Sequence, residues 1–225
     1  MARIQKVPTG TFSPYYGCAI MLAAIFIFGG IVAWSIYSLV TQDKYIAAIT
    51  VDEPVALPPV TLTPEQKAQL QTRLTAFGDA AKNRQAATLS LTVPEINALI
   101  TMAPDTGYGT YADMVRIVRT EPAKNTLVAQ ICLPLNRIKF WEDKKRYLIG
   151  EATFQVLIFG EGVDAKVVDV NVPGKEVPEG FITGMEIWTF LAPYRKLEPL
   201  GTVLKAVTKA QVTPEGVVLA TGPQQ

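Results

Sequence analysis

Residues 17–40 read GCAIMLAAIFIFGGIVAWSIYSLV, and none of these 24 positions carries a charge. As a helix rising 1.5 Å per residue the stretch reaches about 36 Å, enough to cross a hydrocarbon core of roughly 30 Å with some tilt. A helix lying on a soluble core would carry a polar face. Here only Ser35 and Ser38 interrupt, both near the far end. Tyr15 and Tyr16 precede the run, and Trp34 and Tyr37 sit near its other margin, where amphipathic rings settle at the headgroup level. The run predicts a single transmembrane helix over 17–40. A cleaved signal peptide would have an apolar region of about 7–15 residues and a small-residue cleavage site; this run is longer and no such site follows it. Cys18 stands at the start of the run rather than after it, which excludes a lipoprotein signal.

The flanks set an expected orientation. Arg3 and Lys6 lie on the N-terminal side, whereas Lys44 on the far side is mixed with Asp43, Asp52 and Glu53. The excess of positive charge is N-terminal, so residues 1–16 are expected to form a cytoplasmic tail. The C-terminal part then lies outside the cytoplasm, in the periplasm if the membrane is the inner membrane of a Gram-negative cell. Between span and domain lie residues 41–61, of which 41–50, TQDKYIAAIT, continue the helix or leave it gradually, and 51–60, VDEPVALPPV, have three prolines in ten positions. Such a stretch is extended and semi-rigid, and predicts a spacer.

Residues 62–225 are expected to form one extracytoplasmic domain. Thr63-Pro64-Glu65-Gln66 has an N-cap threonine, a proline in the first turn and a capping-box glutamine. Leu70, Leu74, Phe77 and Ala81 then recur at helical spacing. Ala87–Leu91 alternates as a short strand, and Thr92-Val93-Pro94-Glu95 repeats the capping pattern ahead of Ile96, Leu99 and Ile100. Four strands are read over 114–119, 126–135, 146–159 and 163–172, with a turn at Gly160-Glu161-Gly162. Phe181, Met185 and Trp188 predict a third amphipathic helix closed by Pro193. A last helical turn follows over 198–204, then a hairpin of 207–212 and 217–221. Strands joined by short turns imply an antiparallel sheet. The expected fold is therefore α+β, a curved antiparallel sheet packed on amphipathic helices behind the transmembrane helix.

The segment from Leu89 to Ile100, LSLTVPEINALI, resembles a recurring bacterial pattern of the type L-x-L-T-x-x-E-L-N-A-L-L. It belongs to small membrane-anchored or lipoprotein domains outside the cytoplasm that resemble half of a tubular lipid-binding module. Leu133-Pro134-Leu135, Arg146-Tyr147-Leu148 and Gly174-Lys175-Glu176-Val177-Pro178 look similar to further points of that pattern, over roughly residues 63–221. The resemblance implies a long helix cradled by a strongly curved antiparallel sheet, with lipid or protein binding as the role and no catalytic residues to carry over. Asn97, at the centre of the segment, reads as a structural residue binding backbone at the helix–sheet junction.

Candidate chemistry is sparse. The chain has no histidine, and beyond the span it has one serine, Ser90, and one cysteine, Cys132. Ser–His–Asp and Cys–His catalysis and imidazole-based metal sites are thereby excluded. Ser90 falls in an alternating strand and Cys132 among Ile131 and Leu133, where a lone cysteine acts as a small hydrophobe. Asp164 and Asp169 are five apart on one strand, a spacing that predicts opposite faces. Gly107-Tyr108-Gly109 and Gly160-Glu161-Gly162 lack the third glycine of a dinucleotide loop. No cofactor, metal or enzymatic activity is expected. Of the 21 basic residues only Arg3 and Lys6 precede the span, and the rest face 20 acidic ones, so no electrostatic footprint for nucleic acid exists.

Two features point to contact with other molecules. Ala19, Ala23, Gly30 and Ala33 fall on one side of the membrane helix, where small side chains permit close helix packing. The loop 137–146, RIKFWEDKKR, sets five basic against two acidic residues around two aromatics. Trp141, Phe140, Lys144 and Lys145 are its candidates for touching a membrane surface or partner protein. The expected role is a non-catalytic accessory or structural subunit of a larger membrane assembly, with other membrane subunits and the lipid bilayer as partners. The alternative is a free anchored domain with a bound lipid or other apolar ligand.

Overall fold

The computed structural model describes residues 14–105, 111–136, 145–160 and 162–222. Contacts divide the chain into two units, Met1–Lys44 and Tyr45–Gln225. The first unit holds most of helix α1, Pro14–Ile49, which outruns the uncharged stretch at both ends. The second unit carries helices α2 (Pro64–Lys82), α3 (Val93–Met102), α4 (Glu179–Glu186) and α5 (Leu200–Ala206). Its strands are β1 (Ala87–Thr92), β2 (Val115–Glu121), β3 (Thr126–Asn136), β4 (Lys145–Phe159), β5 (Gly162–Asn171), β6 (Val207–Val212) and β7 (Gly216–Thr221). This is an α+β arrangement with antiparallel sheets behind a long apolar N-terminal helix.

Local sequence accounts for the helix starts. At α2 the Thr63 N–H donates to Gln66 Oε1 at 2.9 Å, and the Gln66 N–H donates to Thr63 Oγ1 at 3.3 Å, closing a capping box. At α3 Glu95 Oε2 accepts the Thr92 N–H at 2.9 Å and the Thr92 hydroxyl at 3.1 Å. Glu95 also pairs with Arg73 of α2, whose Nη1 donates to Ser90 O of β1 at 3.0 Å. One carboxylate thus ties α2, β1 and α3 together.

The expectation of a single curved sheet is corrected. Among the described residues the strands form two antiparallel sheets, ordered β2-β3-β4-β5 and β1-β7-β6. Strand β1 does not join the meander because α3 intervenes and closes the β2 edge. Asn97 Nδ2 donates to Ile117 O at 2.8 Å, and the Ile117 N–H donates back to Asn97 Oδ1 at 2.8 Å. The amide side chain imitates a neighbouring strand, which is the structural role read from the sequence. β1 instead pairs with β7 along its whole length, from Ala87↔Thr221 to Thr92↔Gly216.

The two sheets share one core. Leu127, Ala129 and Ile131 of β3, Leu148, Ala152 and Phe154 of β4, and Val167 and Val170 of β5 face Leu89, Leu91, Val207, Val212 and Val217 of the smaller sheet, with Leu70, Phe77 and Ala98 from the helices. Asn125, in the left-handed region at φ 56°, joins the sheets. Its Nδ2 donates to Val156 O at 2.6 Å and its Oδ1 accepts the Val212 N–H at 2.7 Å.

The proline-rich stretch expected as a spacer is bound to the domain instead. Ile49 is buried in the core, Val51 forms a two-way backbone bridge with Tyr147, and Lys175 Nζ donates to Thr50 O at 3.3 Å. Farther on, Arg116 Nε donates to Pro58 O at 2.9 Å, and Val60 and Leu62 pack on the core. Tyr147 and Arg116 lie opposite Pro134 and Gln130 of β3, so the segment 51–58 spans that strand. Proline, with no N–H to satisfy, suits a strap laid across an already paired sheet.

Candidate functional site

The largest apolar surface of the described chain is α1 itself. Within Tyr15–Ile49 an 18-residue window reaches a mean hydropathy of 2.4 with none of it buried, and the helix is long and apolar enough to cross a membrane. Phe26, Phe28, Ile31, Trp34 and Tyr37 are all exposed, so apolar side chains point to every side. Ala19, Ala23, Gly30 and Ala33 are exposed on the same helix, and a Cβ built at Gly30 would meet nothing within 4 Å. Of the candidates in the basic loop, Lys145 opens β4 opposite Asn136 and is exposed. Phe140, Trp141 and Lys144 lie outside the described residues.

Two buried charged side chains, Asp164 and Arg195, meet at the edge of β5, a pairing that the sequence did not single out. Asp164 on β5 is 0% exposed and Arg195 is 9% exposed. Asp164 Oδ2 meets Arg195 Nη2 at 2.7 Å, while its Oδ1 accepts the N–H groups of Ala165 at 2.7 Å and Leu191 at 3.1 Å. Arg195 Nη2 also donates to Val163 O at 3.1 Å. These bonds hold the segment after α4 against the edge of β5. Around them Tyr111 meets Phe190 and Tyr194 with tilted rings, at 5.7 and 6.0 Å between ring centres, and Phe154 meets Phe190 edge-on at 5.0 Å.

Burial pushes the Tyr194 hydroxyl up to about 12, with Tyr111 and Asp105 adding to the shift. Burial and then the Asp164 charge raise Tyr111 as well. An acid–base catalyst works best with its pKa near the ambient pH, and these phenols are displaced away from neutrality. The cluster can lock a loop and hold neutral phenols.

Asp164 and Asp169 do not form a carboxylate pair, though for a reason other than the expected opposite faces. A register shift between Val167 and Asp169 restores the same face, since their partners Leu157 and Thr153 are four apart on β4. Asp164 is engaged by Arg195, whereas Asp169 is exposed. Cys132 is buried and Ser90 faces solvent from β1. Among the described residues no group of three or more His, Cys, Asp or Glu could hold a metal. A recess of about 230 Å³ is lined by Ala47, Thr50, Val51, Asp52 and Arg146. It is smaller than the roughly 300–1,000 Å³ of small-molecule sites.

Trp188 corrects the expectation for the third helix. The helical spacing of Phe181, Met185 and Trp188 predicted a shared buried face, and Phe181 and Met185 do pack on the core. α4 ends at Glu186, however, so the spacing no longer directs Trp188 inward, and it is 64% exposed. The sequence signal for this surface was present, an aromatic residue beside an aliphatic one, but it was assigned to the core. No protein-family model, curated protein or solved structure matches this chain.

Proposed function

We propose that this protein is a non-catalytic, single-pass accessory or structural subunit of a larger membrane assembly, of the respiratory, photosynthetic, transport or envelope kind. The observation that carries the reading is the exposure of α1 on all sides over a stretch long enough for a bilayer. Such a surface has no stable place in water and is matched by lipid and by partner helices. The N-terminal tail is cytoplasmic and the α+β domain lies outside, at the inner membrane. The residues after Ile49 are bound to the domain, which can brace the outer surface of its partners. Gly30 and the alanines at 19, 23 and 33 supply a face for a neighbouring helix, and the loop carrying Phe140, Trp141, Lys144 and Lys145 is a further contact.

Gentle detergent extraction followed by mass spectrometry of co-purifying chains and lipids tests this. Partners at fixed stoichiometry are expected, and an isolated monomer carrying only lipid overturns the reading. Gly30→Leu should release the partners by separating the helices, while Ile27→Leu, off that face, should not. A periplasm-dependent reporter fused after Gln225 should be active.

A further inference from the structure

The middle of the strap is bare. No helix or strand forms from Pro54 to Thr63, and the residues from Glu53 to Ala56 are exposed, Val55 at 54%. Among the described residues none of the five positions 53–57 takes part in a hydrogen bond.

This bare stretch is clamped on both sides. Before it, Ile49 is buried in the core, Val51 and Tyr147 exchange backbone hydrogen bonds at 3.0 and 2.7 Å, and Lys175 Nζ donates to Thr50 O at 3.3 Å. After it, Arg116 Nε donates to Pro58 O at 2.9 Å, and Val60 and Leu62 pack on the core. A break between the clamps therefore leaves every strand, and the helices α2 to α5, with their contacts in place.

An endopeptidase takes its substrate as an extended strand, through backbone N–H and C=O groups. An exposed chain whose groups are unbonded enters such a cleft without any part of the fold opening, and nicking concentrates at such places. Prolines narrow the choice of bond. Those on either side of Pro54, Pro58 and Pro59 are poor substrates, because the ring fixes φ and removes the N–H. Between Glu53 and Pro59 this leaves Val55–Ala56 and Ala56–Leu57. The residue entering the enzyme's specificity pocket is then valine or alanine, which a small apolar pocket of the elastase kind accepts.

We propose that these two bonds are a processing site, where an endopeptidase with a small aliphatic specificity pocket frees the folded domain from its membrane helix. One water is consumed, leaving a new carboxylate on Val55 or Ala56 and a new amino group on Ala56 or Leu57. This rests on the membrane-anchored reading above and adds to it a soluble form of the domain. After the cut, the anchor side holds the domain by one core side chain and three hydrogen bonds. A grip of that size corresponds to a dissociation constant on the order of millimolar, so the domain leaves.

The test follows the full chain, tagged after Gln225, in its native membrane by fractionation and N-terminal sequencing. In parallel the purified full chain in nanodiscs is treated with elastase as the probe. Both should give a soluble fragment whose first residue is Ala56 or Leu57. Ala56→Pro places a proline at both bonds and removes no hydrogen bond, and Val55→Asp/Ala56→Asp offers a carboxylate to the apolar pocket. Each variant should lower release about ten-fold or more, with the melting temperature unchanged. A chain that stays intact in its native membrane, a fragment beginning elsewhere, or undiminished release from both variants overturns the proposal and leaves the anchored reading standing. An uncut chain recovered in the soluble fraction overturns both.

Discussion

The side-chain oxygen of Asn125 accepts the backbone N–H of Val212 at 2.7 Å, so one residue of the β2–β3 turn satisfies the edge of the other sheet. Its amide nitrogen also donates to Val156 O at 2.6 Å, and its φ of 56° is one that asparagine tolerates better than alanine. Asn125→Ala should destabilise the domain by about 2–4 kcal/mol in urea unfolding, through two lost bonds and a left-handed backbone. Asn125→Gly loses the same bonds without the strain and should be about 1 kcal/mol less damaging.

The strap has a measurable share in stability. A chain starting at Tyr45 keeps Ile49 in the core and the Val51–Tyr147 bridge; one starting at Leu62 loses both. The shorter chain should be less stable by about 2–5 kcal/mol, comparable to emptying one large core position. Equal urea midpoints would mean that the strap only rests on the sheet.

Gly216 and Gly150 are held by contacts across strands. A Cβ at Gly216 would overlap Leu91 O, and one at Gly150 would overlap Asn171 O, both backbone atoms that cannot turn aside. Gly216→Ala and Gly150→Ala should each cost about 1–3 kcal/mol, the usual range for overpacking. Gly184→Ala, with open space around it, should leave the melting temperature unchanged or raise it.

Tyr194 is buried, and its hydroxyl has no hydrogen-bond partner among the described residues. Tyr194→Phe should therefore be neutral or stabilise by up to about 1 kcal/mol. The hydroxyl titrates near 12 when folded against 10.0 for a free tyrosine. Its contribution is complete below pH 10 and is lost as the pH rises towards 12, because the unfolded chain releases that proton first. The wild-type urea midpoint should fall over that interval, and the fall should be shallower in Tyr194→Phe.

What was legible in the sequence was what is decided locally. Both capping boxes mark their helix starts, because a cap depends on residues three apart. The meander from Val115 to Asn171 is readable because each strand pairs with the next through a short connection. The long apolar run gives α1, and residues 41–49, helix formers with mixed charge, left open whether the helix continues or fades, which the structure decides in favour of continuation to Ile49. Partnerships across long separations left no such trace. Nothing near Asp164 announces Arg195, 31 residues away. The prolines at 54, 58 and 59 look the same in a free spacer as in a strap. Spacing says which side of a helix Trp188 would occupy but not that the helix stops at Glu186, before reaching it.

Ala87 and Thr221 lie side by side although 134 residues separate them. On the ribosome, β1 emerges early and waits for β7 through the synthesis of nearly the whole domain. Until then β1, with its inward residues Leu89 and Leu91, lacks the strand that it pairs with. A chain interrupted before Gly216 keeps an unpaired strand next to an apolar half-core, a surface that proteases and chaperones recognise. Completion of the smaller sheet thus waits until translation has passed residue 221.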